Sequence, residues 1–119
     1  MYEYEARVIK VIDGDTVDVD IDLGMDVHIK QRLRILGIDA PEIPAIGIEG
    51  EAARDWLRKY LLPGDTVIVR TVKDRKEKYG RYLASIQAAP LAWTEVLPID
   101  IATELIRAGH AVPYSGGKR

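Results

Sequence analysis

The sequence predicts a mainly β protein with helices (α+β), arranged as an OB-fold: a five-stranded Greek-key barrel with two short helices. Three observations predict it. Residues 16–23 and 27–36 alternate apolar and polar side chains with a period of two, as strands with one wet face do. Residues 49–61 place apolar side chains at helical spacing. Along the chain the signals run strand, strand, strand, helix, strand, strand, helix, so a helix separates the third strand from the fourth.

Residues 6–12 are apolar-rich and give the first strand. In 16–23, Val17, Val19, Ile21 and Leu23 share one face and Asp18, Asp20 and Asp22 the other. In 27–36, Val27, Ile29, Leu33 and Ile35 oppose His28, Lys30, Arg32 and Arg34. The acidic face of one strand and the basic face of the next predict charge pairs across an antiparallel ladder, with a turn at 23–26. A Gly/Pro-rich stretch, 37–50, leads into the helix, whose apolar stripe is Ala52, Ala53, Trp56, Leu57, Tyr60 and Leu61. Pro63-Gly64 ends it. Residues 66–72 form a β-branched strand, a basic loop follows, and 82–88 form another strand. Residues 89–97 are an irregular connection carrying Trp93. Asp100 is an N-cap for a short helix to Arg107, Gly109 is its stop, and 115–119 read as a frayed end.

The length of 119 residues suits one domain spanning 1–119, and 47% hydrophobic with 30% charged residues suits a folded chain. With no cysteine, disulfides and thiolate zinc sites are excluded. The polar N-terminus, with no apolar leader and no membrane-spanning stretch, leads us to expect a cytoplasmic protein as written, away from membranes and monomeric. Net charge is −2, but charge is unevenly spread. From Asp13 to Asp26 there are six acidic residues and no basic one; from Arg70 to Arg81 there are six basic residues against Asp74 and Glu77. Local field of this kind can steer a polyanion despite the acidic total.

Three short motifs carry chemistry. Asp13-Gly14-Asp15-Thr16 lies at the turn between the first two strands; alone it is ordinary hairpin composition. Arg34 is followed by Asp39-Ala40-Pro41-Glu42, where Pro41 stiffens the bend between two acids. Two carboxylates on a stiff turn can face one pocket, one binding a hard cation and the other handling a water. Lys78-Tyr79-Gly80-Arg81 offers a bidentate phosphate donor beside an aromatic face. Asp18 to Gly24 is no EF-hand, because glycine falls at position seven and Ile29 at position twelve. His28 and His110 are too far apart in sequence to suggest a zinc site.

Together the three motifs resemble the signature of staphylococcal nuclease-like (thermonuclease) proteins, in matching order from residue 8 to about 112. The resemblance implies a calcium-dependent nuclease that hydrolyses single- or double-stranded DNA and RNA and leaves 3′-phosphate and 5′-hydroxyl ends. It implies Asp15, Asp39 and the carbonyl of Ala40 as Ca2+ ligands, with Asp13 ordering water around the ion. Arg34 and Arg81 would clamp the phosphate and Glu42 would orient or deprotonate the attacking water. Lys78 and Tyr79 would hold a neighbouring phosphate and base, and Tyr114 would stack on a base. Two departures stand out. Residues 43–48 hold no lysine where the secreted prototype has a longer lysine-rich loop, which predicts weaker nucleic-acid binding. The chain also ends soon after the second expected helix. The rival expectation is a catalytically inactive nuclease-like module that binds nucleic acid or a protein; the presence of Asp15, Arg34, Asp39, Glu42 and Arg81 speaks against it.

Overall fold

A computed structural model of the chain describes residues 2–39, 48–76, 81–88 and 99–113. Its elements are β1 (Tyr2–Asp13), β2 (Thr16–Asp22), β3 (His28–Ile35), β4 (Ile38–Asp39), α1 (Ile48–Tyr60), β5 (Thr66–Lys76), β6 (Tyr82–Ala88), β7 (Ile99–Asp100), α2 (Ile101–Arg107) and β8 (Val112–Pro113).

β1 carries the bend of the barrel. Its first half pairs antiparallel with β5, from Tyr2 opposite Thr71 to Arg7 opposite Thr66. Its second half pairs antiparallel with β2, from Ala6 opposite Ile21 to Asp13 opposite Thr16. Register shifts between Val8 and Lys10 and between Val11 and Asp13 insert extra residues, and such bulges bend and twist a strand. They explain why Ala6, Val8 and Val11 are all buried while Ile9 is exposed, a pattern plain alternation does not give. β2 pairs with β3, β5 with β6, and β6 lies parallel to β3, with Leu33 opposite Tyr82 and Ile35 opposite Ala84. That parallel contact closes β1, β2, β3, β5 and β6 into the expected five-stranded barrel. The two-residue strands are additions: β4 pairs with β8, and β7 extends β6.

The barrel is filled from alternating positions, including Val17, Val19, Leu33, Ile35, Val67, Val69 and Ile86, all essentially without solvent contact. Ala53, Leu57 and Leu61 of the α1 segment join this core at i, i+4 and i+8, and Ile101 and Leu105 do so from α2. The α1 stripe is narrower than expected. Ala52 and Tyr60 are exposed, and the Trp56 ring lies over Tyr60 with 4.5 Å between centroids.

The charge ladder forms as expected. Asp18 faces Arg32, Asp20 faces Lys30 and Asp22 faces His28. Arg32 Nε and Nη2 donate to the two Asp18 oxygens at 2.8 and 3.1 Å. The apolar face, however, stops at Ile21 and Leu33, because the hairpin overhangs the core and leaves Leu23, Val27 and Ile29 exposed. At its tip Gly24, Met25 and Asp26 all have positive φ, and Leu23 and Val27 are joined by a 2.8 Å backbone bond. Asp100 is extended and precedes α2 as expected, but its carboxylate accepts the Thr103 hydroxyl at 2.7 Å and caps no backbone amide. Gly109 (φ +81°) ends α2 with paired bonds, His110 N–H to Leu105 and Gly109 N–H to Ile106, each 3.0 Å, the two bonds of a Schellman motif. Among the described residues no helix is long and apolar enough to cross a membrane.

Candidate active site

The turn after β1 is tight. Asp13 and Thr16 are ladder partners, so Gly14 and Asp15 alone reverse the chain. Its position is fixed from two sides. The Arg58 guanidinium of α1 donates to the Val11 carbonyl at 3.1 and 3.4 Å, at the start of the second bulge. On the other side the Ile35 N–H of β3 donates to the Asp15 carbonyl at 2.8 Å. Helix and third strand thus hold the turn whose side chains form the site.

Asp15 is 2% exposed and Arg34 is 6% exposed, so both charges are withdrawn from water. Arg34 lies opposite Thr16 in the ladder, which brings its Nη2 to 3.7 Å from Asp15 Oδ2, while its Nη1 donates to the Ile35 carbonyl at 3.0 Å. The Thr16 hydroxyl donates to Asp15 Oδ1 at 3.0 Å and accepts a bond from Arg81 Nη1 at 2.9 Å. Arg81 arrives there because β6 starts beside β3, with Tyr82 opposite Leu33. Asp13 completes the cluster. Burial pushes its carboxyl up from 3.8 to about 6, and the negative charge of Asp15 adds to the rise. Its Oδ1 is buried and accepts no hydrogen bond among the described residues.

The structure therefore brings together four of the expected site residues, Asp13, Asp15, Arg34 and Arg81. The backbone of Asp39 is placed in β4 opposite Val112, next in the chain after the β3 turn, but its side chain lies outside the described ones. Ala40, Glu42, Lys78, Tyr79 and Tyr114 also lie outside the described residues. Thr16 was in the motif but had no role assigned to it; the only hint was a hydroxyl residue directly after the turn. The apolar groove of about 150 Å³ between Tyr4, Ile21, Ile29, Gln31, Leu33 and Tyr82 is separate, since none of the site's acids or arginines lines it.

Chemically, two guanidiniums converge on one buried carboxylate and its neighbouring hydroxyl. Arginine donors in this arrangement suit an anion with charge spread over several oxygens. The crowded pair Asp13 and Asp15 suits a hard cation, because an added positive charge relieves their repulsion and occupies an oxygen otherwise left without a partner. Among the described residues no group of three or more acids or histidines is formed, so these two carboxylates would need Asp39 or further oxygens to complete a ligand set.

Comparison with known proteins agrees with this frame. Residues 32–118 match the staphylococcal nuclease homologue family. The chain is 36% identical over 88 residues to the thermonuclease of Staphylococcus hyicus, covering 71% of this chain and 48% of that protein. It is 36% identical over 87 residues to a probable endonuclease of Paracoccidioides brasiliensis, covering 70% of this chain and 24% of that protein. An uncharacterized endonuclease of Escherichia coli O157:H7 is 31% identical over 112 residues, covering 94% of this chain and 62% of that protein. The chain thus spans about a quarter of the fungal relative and about half of the thermonuclease. On the family match, with its barrel and its paired arginines, the chain belongs to the staphylococcal nuclease homologue family.

Proposed function

We propose that this chain is a calcium-dependent nuclease, hydrolysing phosphodiester bonds in DNA and RNA to leave 3′-phosphate and 5′-hydroxyl ends. The observation that carries the reading is the convergence of Arg34 and Arg81 on Asp15 and Thr16 at the β1–β2 turn. Endonuclease and thermonuclease are also the names its relatives carry.

In this reading the scissile phosphate sits against the two guanidiniums. Attack by water adds an oxygen to phosphorus and gathers negative charge on the equatorial oxygens, where fixed cations stabilise the transition state more than the ground state. Glu42 acts on the attacking water, orienting it or taking its proton. The bond from phosphorus to the 5′-oxygen breaks, and that oxygen leaves with the electron pair and gains a proton. Lys78 and Tyr79 hold the next phosphate and base, and Tyr114 stacks on a base. Asp15, Asp39 and the Ala40 carbonyl would hold calcium, with Asp13 beside them; the Asp13 oxygen that has no partner among the described residues and the all-oxygen donor set support this choice. Calcium bound there supplies fixed positive charge near the phosphate and orders water.

End-group analysis tests the reading. A short single-stranded DNA labelled at its 5′ end, digested with calcium present, is expected to give fragments carrying 3′-phosphates, and the new 5′ ends should be open to kinase labelling without phosphatase treatment. Fragments with 3′-hydroxyl ends would refute the proposed bond cleavage.

A further inference from the structure

The geometry points to Thr16 as a positioning residue that sets the Arg81 guanidinium for the phosphate. This rests on the proposed phosphodiesterase reading and deepens it. Thr16 is 2% exposed, and its hydroxyl joins the β1–β2 turn to the start of β6. It donates to Asp15 Oδ1 at 3.0 Å and accepts from Arg81 Nη1 at 2.9 Å, a residue 65 positions further on. The two bonds are linked by their chemistry. A guanidinium can only donate, so the hydroxyl lone pairs are turned towards Arg81 and its proton is left for the carboxylate beside it. Each bond polarises the hydroxyl in the sense that strengthens the other. The β-branched side chain on a strand restricts χ1, which holds the oxygen in place.

One consequence concerns the direction in which Arg81 faces. With an Nη1 hydrogen directed to Thr16, one corner of the guanidinium is fixed, which limits the orientations in which its planar fork can meet phosphate oxygens. A second consequence is a physical link between the acidic cluster and the arginine clamp. The same hydroxyl touches both, so displacement of the Asp15 carboxylate shifts the acceptor that Arg81 uses.

The test compares wild type with Thr16→Ser, which keeps the hydroxyl, and Thr16→Val, which keeps the shape and loses it. Each is measured for kcat and KM on a single-stranded DNA with calcium, alone and in an Arg81→Ala background. We expect Thr16→Val to lower kcat roughly 10- to 100-fold, the scale of a lost hydrogen bond to a charged group. Thr16→Ser should restore most of it, and Thr16→Val should have no further effect once Arg81 is gone. An unchanged kcat in Thr16→Val would overturn the inference. So would a full loss persisting without Arg81, which would place the effect elsewhere, or a Ser variant as poor as the Val variant, which would make it a matter of methyl packing. A readout independent of turnover is the 15N-labelled Arg81 guanidinium by NMR, expected to show hindered rotation in wild type and Thr16→Ser but faster rotation in Thr16→Val. Unaltered rotation in Thr16→Val would overturn the inference even if no variant cleaves DNA, whereas absence of cleavage by wild type alone would refute only the phosphodiesterase reading.

Discussion

Asp13 shows how single residues are set against the fold's own stability. Its carboxyl ordinarily titrates at 3.8, but here burial and the neighbouring Asp15 raise it to about 6. The folded chain therefore binds this proton more tightly than the unfolded chain does. Its contribution to stability is full below 3.8 and is lost as pH rises through about 6. In chelator, the melting temperature of wild type should fall between pH 4 and pH 7 by more than that of Asp13→Asn, and equal slopes would contradict the assignment. Arg34 differs from Arg81 in a way that matters for experiments. Its partner Asp15 is buried, so Arg34→Ala removes the guanidinium 3.7 Å from a buried carboxylate, and breaking such a pair typically costs about 3–5 kcal/mol. Urea unfolding of metal-free Arg34→Ala should show a loss of that order; a loss below about 1 kcal/mol would mean the pair is hydrated. Arg81 is only half-buried and makes the cleaner probe of chemistry.

Elements were legible where side-chain period and terminal residues agreed. The α1 stripe and the Pro63-Gly64 stop place the helix to within a residue of its observed 48–60 span. The strands β2 and β3 follow from strict alternation, and their facing charges from opposite signs at paired positions. β1 was legible only from residue 6, because Tyr2 to Glu5 pair with β5 through the backbone while most of their side chains are exposed. Its bulges were hidden because they shift the apolar period in mid-strand. The two-residue strands are too short to show any period. The close of α2 gives a prediction at this scale. A Cβ at Gly109 would meet nothing within 4 Å, so the penalty of a substitution comes from its φ of +81° alone. Gly109→Ala should cost about 1–2 kcal/mol in chemical denaturation and Gly109→Asn less; no change for alanine would mean the chain end relaxes out of the Schellman turn.

At the scale of the whole molecule, barrel closure and site assembly are one event. The β3–β6 pairing that completes the barrel also brings Arg81 to Thr16, and the bond from Ile35 to the Asp15 carbonyl ties the β1–β2 turn to the same strand. That Asp13, Asp15, Arg34 and Arg81 would gather was legible because their motifs sit at strand ends, which the barrel brings side by side. What could not be read was their mutual geometry. Neither the Thr16 link, made across 65 residues, nor the withdrawal of the Asp15–Arg34 pair from water has a local sequence signal.

The most direct test of the proposed chemistry is cleavage of single-stranded DNA with calcium or with a calcium chelator, wild type beside Arg81→Ala. Cleavage is expected with calcium and not with chelator, and the rate in Arg81→Ala should be lowered by about 10²–10³, as for loss of one preorganised charge donor. Cleavage that is indifferent to calcium, or equal in the variant, would contradict that chemistry.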